Sequence, residues 1–365
     1  MTTDAPTDAP DAPDAEAPGE PRRVLHFRWD LDKTYIFTEF DTVRDLVARA
    51  FETAEDKRVV PGAATLLREL LARDGDDIER RVTFISGSPR QLRRVLTERL
   101  RLDGIEPEQL ILKPNLSNLL LFRFKAIRSQ VGYKLEALLR SRIYGDQVEE
   151  VLFGDDAEQD ALVYSLYGDL LNGRVERDGL AAVLAATNTS RRESDRVLAL
   201  YDHLTPGDDP VRRVFIHLER RSPTERFDVF GSRVVPVFNW FQAAMVLHAD
   251  GMLAPSSLVR VIEAMGRRGY TAARLTNSVQ DLVRRGFVGP AGIDALDDVV
   301  ARADEILGHR PSTFVGAFRD ALAGLGTPSE RMPWIEQVDY MAACRGLGKY
   351  HRPRLAIPGA RILFD

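Results

Sequence analysis

Val24-Leu25-His26-Phe27-Arg28-Trp29 is a short apolar-rich run of the kind that forms a strand. Similar runs recur at Val82–Ile85, Leu110–Leu112, Val151–Phe153 and Val214–Leu218. Between them the spacing is helical. Asp41 to Asp56 carries Val43, Leu46, Val47, Ala50 and Phe51 on one side. After Pro61-Gly62, the stripe Leu66, Leu67, Leu70 and Leu71 predicts a second helix, ended by Asp74-Gly75. A third carries Leu92, Val95, Leu96 and Leu100, a fourth runs from Lys134 to Ile143, and another reaches about Leu171. Strands alternating with helices predict a parallel sheet covered on both faces. After about residue 238 the pattern changes. Segments 239–249, 255–267, 271–286, 291–307 and 312–324 have helical spacing, with Gly and Pro between them and no strong strand signal.

These patterns divide the chain into three parts. Residues 1–21 repeat DAP three times, hold almost nothing to bury, and are expected to be a disordered acidic Ala/Pro tail. Residues 22–220 read as an α/β domain, and residues 221–365 as a mostly helical C-terminal extension.

Composition narrows the setting. The 365 residues are 44% hydrophobic, ample for a large core. A formal net charge of -5 gives no pointer to nucleic acid, and Arg191-Arg192 and Arg220-Arg221 read as solvated surface. The single cysteine, Cys344, rules out a disulfide framework within the chain and a cysteine-rich zinc site. No run of about 18 apolar residues predicts a transmembrane helix, and the N-terminus lacks the basic start and apolar stretch of a signal peptide. A cytoplasmic location is expected. The six histidines show no metal-ligand spacing.

Polar clusters follow three of the strands, where ligands bind in an open α/β sheet. Asp30-Leu31-Asp32-Lys33-Thr34 offers two carboxylates that can point into one crevice, one to attack and one to handle protons. An acidic turn capping a helix has the same composition. Ser86-Gly87-Ser88 offers a hydroxyl and backbone N–H groups for an anion, or a plain helix cap with Pro89 at the first helical position. Gly154-Asp155-Asp156-Ala157-Glu158-Gln159-Asp160 offers oxygens for a hard cation such as Mg²⁺, or an acidic cap. A lysine that would hold charges together beside these carboxylates is available as Lys134, with Lys125 as the alternative.

The order DxDxT, Ser-Gly, Lys and GDDxxxD resembles the four motifs of the haloacid-dehalogenase (HAD) superfamily over roughly residues 22–220. The resemblance implies a Rossmann-like parallel sheet flanked by helices, Mg²⁺ as cofactor, and phosphoryl transfer. It makes Asp30 the nucleophile that forms an aspartyl-phosphate, Asp32 the general acid/base, and Thr34 the residue that orients the loop. Thr34, Ser86 and Gly87 would contribute to binding the phosphoryl group, and Lys134 would pair with Asp30 and the phosphoryl group. Asp30, Asp32, Asp155 and Asp160 would hold the metal, with Asp156 competing with Asp155.

Within the superfamily the chain is most similar to App1-type phosphatidate phosphatases, through Lys134-Leu135-Glu136 upstream of Gly154-Asp155, the late strand Arg213–Leu218, and the stretch from Phe241-Gln242-Ala243-Ala244 to Gly251-Met252. It departs from them at Lys33, where that family usually carries an acid, and in an insertion over about 178–208. The implied activity is hydrolysis of phosphatidate or another bulky phosphomonoester at an open site, because no large cap insertion separates the motifs. A non-catalytic scaffold with this fold, or a phosphatase of a phosphoprotein or a nucleic-acid end, are the alternatives.

Overall fold

Strand β1 (Val24–Asp30) sorts its side chains by alternation. Leu25, Phe27 and Trp29 join one apolar core, while His26 and Arg28 point to the opposite face. Arg28 is buried there, its two terminal nitrogens donating to Glu150 at 2.9 Å and to Ser141 at 2.8 Å. The computed structural model describes residues 23–37, 53–55, 57–72, 78–113, 130–146, 148–326 and 330–348. The tail 1–21, Lys125 and nearly all of the helix expected over 41–56 lie outside the described residues.

The remaining strands are β2 (Glu79–Pro89), β3 (Gln109–Lys113), β4 (Glu149–Asp155), β5 (Val211–His217) and β6 (Val234–Val237). They form one six-stranded sheet in the order β3-β2-β1-β4-β5-β6, with every pair parallel. The order reverses between β1 and β4, and a crevice opens beyond the carboxyl ends at such a switch point. Asp30 and Asp155 are the last residues of those two strands.

Helices cover both faces, as the alternation of elements requires. On one face lie α1 (Ala63–Leu71) and α2 (Arg93–Leu102). The other carries α3 (Val131–Ile143), α4 (Asp160–Leu171), α5 (Arg177–Ala186) and α6 (Arg191–Tyr201). The C-terminal helices α7 (Trp240–Ala249), α8 (Pro255–Arg267), α9 (Ala272–Arg284), α10 (Pro290–Ala301), α11 (Ala303–Leu307) and α12 (Thr313–Leu322) share a core with β1 and α1. Helix α13 (Tyr340–Gly348) packs on the opposite side, where the Tyr340 hydroxyl donates to buried Asp169 at 2.6 Å.

Several elements differ from the sequence expectation. Residues 178–208 fold into α5 and α6, the latter started by a capping box between Ser190 and Glu193. The helix expected over 291–307 breaks at Arg302 into two. β6 is an additional strand within the stretch expected to be mostly helical; all four of its residues are buried, and Pro236 is tolerated because β6 is an edge. β2 continues through Ser86-Gly87-Ser88 to Pro89, so that cluster does not start a helix. A 3₁₀ turn over Arg90–Leu92 separates it from α2. The β2–β3 pairing slips between Ser86 and Pro89.

Candidate active site

Four separate stretches of chain meet at the switch point. Asp30 is fully buried, and both of its oxygens are engaged. Thr34 Oγ1 donates to Asp30 Oδ2 at 3.0 Å, and Lys134 Nζ lies 2.9 Å from Asp30 Oδ1. Lys134 projects from the first turn of α3, itself fully buried. Its ammonium also lies 2.5 Å from Asp160 Oδ1 and 2.6 Å from Glu158 Oε2. Asp160 opens α4, and its Oδ2 accepts the Asp155 N–H at 3.1 Å. Asp155 Oδ1 accepts the N–H of Ala157 at 2.5 Å and of Glu158 at 2.9 Å.

Asp32 sits closer to solvent. Its Oδ2 accepts from Ser86 Oγ at 2.7 Å and from Ser88 Oγ at 2.8 Å. Ser86 Oγ in turn accepts the Ser88 N–H at 2.9 Å. Gly87 is packed against the start of α3, where a Cβ would lie 2.5 Å from the Gln130 side-chain amide. Gln130 Nε2 donates to Glu158 Oε1 at 2.5 Å, so the second motif is tied to the lysine through Glu158.

Asp156 faces away from this group. Its carboxylate accepts the backbone N–H groups of Arg220 at 2.8 Å and Ser222 at 2.9 Å, holding the loop after β5. Of the expected site residues, then, Asp30, Asp32, Thr34, Ser86, Gly87, Lys134, Asp155 and Asp160 come together, and Asp156 does not join them. Glu158 and Ser88 were not singled out in the sequence, although each lies inside a motif string. Gln130, His217 and Trp240 carried no sequence signal.

The turn that follows the two aspartates is strained and held. Lys33 has φ +65°, a left-handed conformation that costs a non-glycine residue about 1 kcal/mol or more. That conformation lets the Lys33 N–H reach Ile36 O at 2.7 Å. The carbonyl of Lys33 accepts from His217 Nδ1 at 3.1 Å, and that of Thr34 from Trp240 Nε1 at 3.2 Å.

Crowding sets the electrostatics. Burial pushes the Asp30 carboxyl well above the usual range, with Lys134 pulling the other way. Burial also raises Asp155, reinforced by Glu158 and Asp160, and it lifts Asp160 to about 6 against the pull of Lys134. For Lys134, burial disfavours the charged form, but Asp160, Asp30 and Glu158 outweigh it and hold the ammonium well above the ordinary lysine value. Asp32 is raised by burial, against the hydrogen bonds from Ser86 and Ser88.

Three carboxylates, those of Asp30, Glu158 and Asp160, therefore surround one ammonium. Asp30, Asp155 and Asp160 each bring an oxygen within 4.8 Å of the others. Asp155 Oδ2 is buried and accepts no hydrogen bond. An orphaned buried oxygen beside two further carboxylates fits a hard divalent cation. Both oxygens of Asp160 accept hydrogen bonds, whereas Asp155 Oδ2 accepts none and Asp30 Oδ1 has only its ion pair with Lys134, so Asp155 and Asp30 are the better placed to ligate directly.

Residues 29–177 match the family model of the phosphatidate phosphatase APP1 catalytic domain. The matched stretch begins one residue before Asp30 and ends in the first turn of α5, so it holds every motif residue described above. The App1 likeness read from the sequence is borne out over this stretch. No curated protein and no solved structure matches the chain. β5, β6 and the C-terminal helices lie beyond the APP1 catalytic-domain match, as do His217 and Trp240, which grip its first loop.

Proposed function

We propose that the chain is a HAD-type phosphomonoester hydrolase that uses Mg²⁺ and acts through an aspartyl-phosphate on Asp30, with phosphatidate or a similarly bulky phosphomonoester as substrate. The observation that carries this reading is the pairing of buried Asp30 with Lys134 at 2.9 Å, beside Asp155 and Asp160 at the switch point. The APP1 catalytic-domain match supports phosphatidate as the substrate class.

The chemistry follows from the positions. Thr34 and Lys134 fix the Asp30 carboxylate from two sides, so one of its oxygens is held in line for attack on phosphorus. The bond from phosphorus to the ester oxygen breaks as the bond to Asp30 forms, and Asp32 gives that oxygen a proton. Burial, which raises its affinity for a proton, suits Asp32 to this task. Water then attacks the phosphoaspartate, Asp32 takes its proton, and phosphate and free Asp30 are restored. Lys134 balances charge on the transferring group throughout. Asp30 and Asp155 would hold Mg²⁺ directly and Asp160 through water; when bound, the cation neutralises phosphoryl charge among the carboxylates. Ser86 serves a phosphoryl oxygen by turning its hydroxyl away from Asp32.

The test is phosphate release from short-chain phosphatidate in mixed micelles, beside a hexose phosphate and an aryl phosphate, with Mg²⁺ and with chelator. Metal-dependent release with the lipid preferred supports the reading. A folded protein that releases nothing from any of the three overturns it and favours a binding role for the same fold.

A further inference from the structure

The turn carrying Lys33 and Thr34 is gripped by two rings from outside the APP1 catalytic-domain match. His217, the last residue of β5, and Trp240, the first of α7, are both buried. Their ring centroids lie 5.4 Å apart with planes 24° from parallel, so each restricts the other. Because a carbonyl can only accept, His217 carries its proton on Nδ1, and Trp240 uses its single N–H. We infer that His217 and Trp240 are positioning residues that hold the Asp30–Thr34 turn in its reactive conformation, by hydrogen-bonding the carbonyls of Lys33 and Thr34. This rests on the reading of Asp30 as nucleophile.

Three observations support the inference over plain core packing. Lys33 occupies a left-handed conformation that must be over-determined by its surroundings to persist, and its carbonyl bond to His217 is one of the restraints. Thr34 is gripped at both ends: its hydroxyl donates to Asp30 Oδ2 while its carbonyl accepts from Trp240, so a shift of Thr34 moves the nucleophile's partner. His217 also joins two motifs, since its side chain binds Lys33 while its backbone carbonyl accepts the Asp156 N–H at 3.1 Å. His217 therefore ties the first motif to the fourth.

The experiment compares Trp240→Phe, which keeps an aromatic ring and removes the donor, with His217→Asn and His217→Leu, which keep and remove a donor near Nδ1. For Trp240→Phe and His217→Leu the expected result is a fall in kcat of at least about tenfold, with KM changed by less than about twofold, because misplacing a reacting group acts mainly on the chemical step. His217→Asn should recover a substantial part of that loss. In a double-variant cycle, Thr34→Val with Trp240→Phe should lose little more than Thr34→Val alone, since both act through one contact. Hydrogen exchange supplies a readout independent of turnover: the amides of Lys33, Tyr35 and Ile36 should exchange at least about tenfold faster in Trp240→Phe, while those of β3 are unchanged. Unchanged kcat and unchanged exchange in a folded Trp240→Phe overturn the inference, as do equal losses in His217→Asn and His217→Leu. If the wild-type protein releases no phosphate, the proposed function fails, and the exchange comparison alone decides whether the rings hold the turn.

Discussion

Gly154 faces Asp160 with no room for a side chain: a Cβ at position 154 would overlap both the carboxylate and the Cβ of Asp160. The strand end that carries Asp155 thus passes directly over the carboxylate that accepts its N–H. Gly154→Ala is expected to push Asp160 away from Lys134, destabilising the fold by about 1–3 kcal/mol. It should lower activity at least tenfold and raise the metal concentration needed for half-maximal rate. Metal titrations of both proteins check this, and an unchanged requirement in the variant would mean that Asp160 does not support the metal.

Asp30→Asn separates catalysis from stability. An amide is a poor nucleophile, so turnover should fall by three decades or more, about 4 kcal/mol of barrier. Stability should move the other way. Burial raises the Asp30 pKa, so the ionised carboxylate opposes folding at neutral pH, and removing its charge relieves that opposition. The metal-free Tm is expected to be equal to or higher than that of wild type. A large drop in Tm would show that lost activity reports damage to the fold.

Metal removal gives a second pair of outcomes. Chelator should abolish activity and Mg²⁺ should restore it. Mg²⁺ at about a hundred times its Kd should stabilise the wild-type fold by about 2.7 kcal/mol. In Asp155→Asn the activity should fall and the thermal shift with Mg²⁺ should largely disappear, because its unpartnered oxygen is lost as a charged ligand. Full activity in chelator would refute the assignment of a metal to this cluster.

His26 gives a pH dependence remote from the site. It is buried on β1, 2.9 Å from Thr83 Oγ1. Burial, aided by Arg28 and Arg81, lowers its pKa from 6.5 to about 3. The folded state thus refuses a proton that the unfolded chain accepts. Its stability contribution is complete above pH 6.5 and is lost as pH falls from there toward 3, by up to about 1.4 kcal/mol per pH unit. Urea unfolding at pH 7.5 and pH 5 should show a smaller loss in His26→Gln than in wild type. Parallel losses would assign the acid sensitivity to other groups.

The parts of this molecule that were legible in the sequence are those written in neighbouring residues. Apolar runs such as Val24–Trp29 alternating with helical stripes, and the motif strings at Asp30, Ser86 and Gly154, pointed to the parallel sheet and most of the candidate site, because strand ends and the residues after them are local features. What escaped depends on distant partners. β6 has four residues with a proline among them, too short and too atypical to signal a strand. Asp156 and Asp155 are adjacent and chemically identical, and only the amides of Arg220 and Ser222 separate their roles. Glu158 lay in plain view, but its contact with Lys134 needs α3 and the turn after β4 to be packed together.

The grip on the first loop also has a consequence for how the chain comes to life during synthesis. Every motif side chain has been made once Asp160 has been added, yet the bonds to Lys33 and Thr34 span 184 and 206 residues. Contacts at such separation are closed late, after the entropy of a long loop has been met. A nascent chain would therefore carry its nucleophile, lysine and acidic cluster for a long interval with the first loop unfastened. If the proposed function holds, competence would arrive as a late event, set by the docking of β5 and α7 onto a sheet whose motif residues have long been synthesised.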